Sequence, residues 1–181
     1  MLILLDMDGV LADFEQGFLD AWARKHPDQP AVAPEQRRNF YIDDDYPEHC
    51  RPLVEKIFTA RGFYGGLPPI PGALQGVREM LAAGHDVSIC TAPHSFVRYC
   101  VPEKYEWVEQ HLGSEFVRRV IVTKDKTLVF GDVLVDDRPD IKGYRIPAWR
   151  HVIYDQPYNR AVQGLRMDWK GWRGAVESCV N

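Results

Sequence analysis

The sequence predicts an α/β fold: a parallel sheet with helices on both faces and a small, mostly helical cap inserted after the first strand. Three observations predict it. Short apolar runs alternate with amphipathic helical patterns, and acidic residues stand at the ends of two of those runs. The stretch from Phe14 to Pro69 mixes aromatics, acids and prolines without a strand pattern, and it is too long for a plain loop. The implied division is a core of residues 1–13 and 70–181 with a cap at 14–69.

The elements follow in order. Leu2–Leu5 is an apolar run that meets Asp6, as a buried strand does at its end. After the insertion, "PGALQGVREMLAAG" begins at Pro71, places Leu74, Val77 and Leu81 on one face and stops at Gly84, which is the pattern of an amphipathic helix. A strand follows in "DVSICT", a second helix in "EKYEWVEQHLG" ending at Gly113, and further strands in "RVIV", "DVLVDD" and "WRHVIY". A Trp-rich helix around Asp168–Ser178 closes the series. The apolar stripe of "DWKGWRGAVESCV" packs on the core or on a partner subunit; the core is favoured, and a homodimer stays open.

The 181 residues suffice for one core domain with an insertion, and 45% hydrophobic with 27% charged residues excludes disordered and fibrous classes. A net charge of −4 gives no footprint for a nucleic-acid polymer or an anionic membrane, yet it permits a small anionic ligand in a locally positive pocket. Any nucleotide partner is therefore expected to be a monomer. The Leu2–Leu5 run is too short for a secretory h-region, and no run reaches the length of a membrane span. Cys50, Cys90, Cys100 and Cys179 have neither CxxC nor zinc-finger spacing and read as reduced thiols of a cytoplasmic protein.

Ligands of an open parallel sheet bind beyond the carboxyl ends of its strands. Asp6 and Asp8 fall at that end of the first strand, Thr91 at that end of the second, and Asp136 and Asp137 at that end of the fourth; Lys126, after the third, can reach the same place. Carboxylates so gathered repel, by about 4 kcal/mol for two charges 4 Å apart at an effective dielectric near 20. A divalent cation and a lysine would resolve the conflict; all-oxygen ligands favour a hard ion, and few protein ligands with room for water and a phosphate oxygen favour magnesium. One carboxylate could then attack phosphorus, and the second, two residues on, could protonate the leaving alkoxide. A calcium loop does not fit: counted from Asp6, Gly9 is fourth and Gly17 twelfth, where an EF-hand needs glycine sixth and glutamate twelfth. "IDDDY" reads as a solvated or helix-capping acidic run.

These motifs resemble those of the haloacid dehalogenase-like phosphohydrolases, and more narrowly the 5'(3')-deoxyribonucleotidase family. "DMDGVLADF" is similar to the superfamily's first motif, "ICTAP" to its second, Lys126 in "TKDKT" to its third and "DVLVDDRPD" to its fourth; "RRNFYI", "LPPIPGA" and "EKYEWVEQHLG" carry the narrower likeness. The resemblance implies a Rossmann-like core, Asp6 as nucleophile and Asp8 as general acid and base. It implies Mg2+ held by the Asp6 carboxylate, the Asp8 backbone carbonyl and Asp136, with Asp137 close by. Thr91, Lys126 and the backbone of Ala92 would bind phosphate, assisted by Lys104. Ala92 is a departure, because the mammalian enzymes resemble "TSP" there, so a hydroxyl contact is missing and altered affinity is expected.

Phe14, Phe40, Tyr41 and Tyr64 lie in or beside the cap. Aromatics alone favour small-domain core packing over base stacking; the resemblance implies a base pocket, with Phe14 and Phe40 foremost. The expected activity is magnesium-dependent hydrolysis of deoxyribonucleoside monophosphates, with pyrimidine bases favoured. A phosphatase of another metabolite, such as a sugar phosphate, and a non-catalytic sensor of a phosphorylated ligand are the alternatives. An intact Asp6 and Asp8 speak against the sensor.

Overall fold

The computed structural model describes residues 1–179. Six strands form one sheet: β1 (Leu2–Leu5), β2 (Asp86–Thr91), β3 (Val120–Val122), β4 (Val133–Asp136), β5 (Arg150–Tyr154) and β6 (Arg166–Met167). Their order is β3-β2-β1-β4-β5-β6 and every neighbouring pair is parallel. The order reverses at β1, so the carboxyl ends of β1, β2 and β4 open onto one crevice.

Helix α1 (Phe14–Lys25) starts where the Asp13 carboxylate accepts the Gln16 N–H at 3.0 Å, and it ends with Arg24 and Lys25 against the helix dipole. Helix α2 (Arg51–Phe58) belongs to the same inserted segment, whose other helical pieces are short 3-10 turns. Helices α3 (Ala73–Ala82) and α4 (Cys100–Leu112) occupy the two predicted patterns, followed by the single turn α5 (Ser114–Val117) and by α6 (Trp172–Glu177). Val77, Met80, Trp107, Val108 and Val176 from these helices pack with Ile3, Leu5, Ile89, Val133 and Val135 from one face of the sheet. Each such side chain contributes roughly 1.5–3 kcal/mol when fully buried. The other face carries Leu4, Cys90 and Leu134, covered more lightly by Trp149, Val129 and Ile141 from the 3-10 turn and loops after β3 and β4.

Two details differ from the sequence pattern. The two-residue β6 was not expected, because Arg166–Met167 has no alternation of its own and pairs only through β5. The predicted C-terminal helix shortens to Trp172–Glu177, because residues 168–171 form a turn in which the Asp168 carboxylate accepts the Gly171 N–H at 2.7 Å. The stripe itself packs inward: Trp169, Trp172, Ala175 and Val176 are buried in the main core, while Val180 lies outside the described residues. Among the described residues no helix is long and apolar enough to cross a membrane.

The inserted segment leaves and rejoins the core at one point. Asp13 donates its N–H to Pro68 O at 2.7 Å and Ile70 to Leu11 O at 2.8 Å. Farther along, the Glu103 carboxylate of α4 accepts the N–H groups of Gly62, Tyr64 and Gly65, and the Trp107 indole donates to Leu67 O at 2.8 Å.

Candidate active site

The chain leaves β1 at Asp6 and folds into a tight loop in which Leu11 and Ala12 both donate to Met7 O at 2.8 Å. Gly9 makes the loop feasible. Its φ is +76°, and a Cβ there would lie 2.7 Å from the Asp137 carboxylate, so any side chain would be both strained and in collision with the fourth strand's acid. The loop thereby brings the first and fourth motifs into contact.

Asp6, Asp136 and Asp137 each offer a carboxylate oxygen, all within 4.8 Å of one another. The Lys126 ammonium bridges two of them, at 2.8 Å from Asp6 Oδ1 and 2.5 Å from Asp136 Oδ2. Lys104 is fully buried and pairs with the fourth acid: its Nζ lies 2.6 Å from Asp8 Oδ2 and 3.1 Å from Thr91 Oγ1. Burial and the neighbouring acids govern the protons. Burial holds the Asp8 carboxyl above the usual range although Lys104 pulls it back. Burial pushes Asp136 up to about 6 against the pull of Lys126, and burial with the charges of Asp136 and Asp6 drives Asp137 well above its ordinary value. Burial works against the Lys126 charge, but Asp6 and Asp136 outweigh it and leave its pKa raised.

These groups form the floor of a cavity of about 730 Å³. Thr91 and Ala92 border it at the end of β2, and Phe14, Phe40, Tyr41 and Tyr64 line its walls. Phe14 meets Phe63 edge-on at 5.2 Å, and Phe40 carries the Arg138 guanidinium over its ring at 5.4 Å. Tyr64 is buried beneath Lys104, 5.4 Å from its ring, and Tyr41 stands exposed. Of the residues singled out from sequence, only Lys104 does not border the cavity; it stands behind Asp8 and Thr91 and reaches a ligand through them.

The acidic run needs correcting. Asp43 and Asp44 border the cavity, but Asp45 is neither solvated nor a cap of the following helix. It is an ion-pair partner of the buried Arg37, whose guanidinium also meets Glu15 at 2.9 Å, and it accepts the N–H groups of Arg38 and Asn39. Sequence reasoning also missed the loop after β5. There Tyr158 donates to Asp137, Asn159 Nδ2 to Asp137 O at 2.7 Å, and Gln156 Nε2 to Gly9 O at 2.8 Å. The stretch "DQPYNR" has no periodicity to announce such a role.

The residues fit a divalent cation. With all four carboxylates ionised, two ammonium groups leave the cluster two charges short of neutrality, and one Asp8 oxygen is buried without a hydrogen-bond partner. The donors are all oxygen, the chemistry of a hard ion.

Comparison with known proteins identifies the fold and the family. A solved hydrolase of the HAD family from Deinococcus radiodurans R1, with bound phosphate and sodium, superposes with a TM-score of 0.61 at 14% identity over 99% of this chain and 96% of that one, a likeness of fold. The human cytosolic-type 5'(3')-deoxyribonucleotidase is 47% identical, covering 97% of this chain and 93% of its own length. A Bordetella pertussis protein, provisionally named as a 5'(3')-deoxyribonucleotidase, is 55% identical over 97% of this chain and 95% of its own. The family model described as "5' nucleotidase, deoxy (Pyrimidine), cytosolic type C protein" matches residues 1–178, and the chain belongs to that family.

Proposed function

We propose that the protein is a magnesium-dependent phosphomonoesterase that hydrolyses 5'-deoxyribonucleoside monophosphates, pyrimidine ones foremost, to nucleoside and phosphate. The observation that carries this reading is the cluster of Asp6, Asp136 and Asp137 oxygens within 4.8 Å, beside Lys126, on the floor of an aromatic-walled cavity. The names of the relatives point the same way.

An Asp6 oxygen attacks phosphorus, forming an aspartyl-phosphate as the ester bond to the sugar oxygen breaks. Asp8 gives its proton to that departing oxygen; burial, which raises its pKa, favours the protonated form. Asp8 then takes a proton from water, whose oxygen attacks phosphorus and frees Asp6. Lys126, the Thr91 hydroxyl and the Ala92 backbone receive the phosphate oxygens. Mg2+ would be held by Asp6, Asp136 and the Asp8 backbone carbonyl, with Asp137 beside it, and supplies positive charge against the phosphate dianion. Phe14 and Phe40 stack on the base, and residues 14–69 act as a cap that closes over the substrate; the joined ends of that segment support this hinge. The four free thiols suit a cytoplasmic protein.

Phosphate release measured with magnesium across dUMP, dTMP, UMP, a purine deoxynucleotide and a sugar phosphate tests the substrate. A deoxyribonucleotide is expected to lead; a sugar phosphate winning by a wide margin removes the reading. Asp6→Asn is expected to keep the fold and lower turnover by at least about 10⁴-fold.

A further inference from the structure

Tyr158 occupies a position that the proposed chemistry leaves unexplained. Its hydroxyl donates to Asp137 Oδ2 and lies against Gly9, where a Cβ would come within 3.1 Å of it. Its ring has two other neighbours. The Arg37 guanidinium sits 5.2 Å from its centre, and Phe40 meets it edge to face at 6.0 Å. Arg37 cannot drift, because it is buried against Glu15 and Asp45 and also donates to Phe40 O. One side chain thus touches an acid of the carboxylate cluster at its tip and an aromatic wall of the cavity at its ring.

We infer that Tyr158 is a positioning residue: its hydroxyl fixes the Asp137 carboxylate toward a bound divalent cation, while its ring ties that carboxylate to the Phe40 wall of the cavity. The inference rests on the metal site proposed above. A carboxylate that serves a cation gains from a donor that holds its second oxygen, because free rotation would spend the geometry the ion needs. Asp137 has particular need of one, since it is buried beside two other acids and can otherwise turn away. Tyr158 lies 21 residues from its acceptor, on a different loop, so the bond is a tertiary device rather than a local turn.

The test is Mn2+ binding, followed by electron paramagnetic resonance with no substrate present. Tyr158→Phe removes the donor and keeps the ring, so Mn2+ affinity is expected to fall about tenfold. At saturating metal its KM for dUMP is expected to stay within about twofold of wild type, because the ring contacts persist. Tyr158→Leu removes both and is expected to lose the same Mn2+ affinity and to raise the KM as well. Should Tyr158→Leu fail to fold, Tyr158→Phe decides alone. Wild-type affinity in Tyr158→Phe, or equal losses of Mn2+ affinity, KM and melting temperature, overturns the assignment. A wild-type protein that binds no Mn2+ overturns the metal site itself, a result distinct from wild type and variant binding alike.

Discussion

Lys104 is fully buried, and its two partners, Asp8 and Thr91, both face the cavity. In the proposed mechanism it acts on the proton that Asp8 delivers. Burial raises the Asp8 pKa and Lys104 lowers it, so removing the ammonium lets the pKa climb further. A general acid fails when it has lost its proton. In Lys104→Met the alkaline limb of the kcat/KM profile is therefore expected to move to higher pH, while the rate at the optimum falls about 10²-fold. An unmoved alkaline limb in a pH–rate series would contradict this role. At this scale the sequence was legible where a residue's position follows from a local pattern: Asp6, Thr91 and Asp136 end apolar strands, so the sheet places them. Tyr158 and Arg37 were not legible, because their parts depend on contacts made across the fold.

Helix α3 and the segment before α6 touch where both can least give way. A Cβ on Gly76 would lie 2.3 Å from the Trp169 indole, which is buried and donates its N–H to Val10 O at 2.8 Å. Alanine at a helical glycine gains about 1 kcal/mol of propensity, whereas overpacking a core costs about 1–3 kcal/mol. The indole cannot retreat without breaking its hydrogen bond, so the larger cost applies. Gly76→Ala is expected to lose about 1–2 kcal/mol in urea unfolding. A gain in stability would mean that Trp169 moves freely. Helices α3 and α4 could be read in the sequence because their apolar periodicity and terminal glycines agree; β6 could not, because two residues carry no period.

For the whole molecule, the acidic floor sets a pH dependence. Asp136, pushed up to about 6, and Asp137, driven well above the ordinary range, hold protons more tightly folded than unfolded. Stability of the metal-free protein therefore falls as pH rises from the unfolded carboxylate value of about 4 through about 6 and beyond. A cation offsets that cost where the acids are ionised and competes with protons where they are not. Magnesium is thus expected to raise the melting temperature more at about pH 7.5 than at about pH 5.5, as differential scanning fluorimetry can measure. Equal shifts at both would mean that the acids are not where the ion binds. The parallel sheet followed from alternating patterns, but the exchange of contacts between distant segments did not. Trp169 reaches back across 159 residues to the carbonyl of Val10, in the loop that carries Asp6 and Asp8. During synthesis that loop leaves the ribosome long before its brace does. The nascent chain therefore carries that loop without its Trp169 brace until translation has passed the tryptophan.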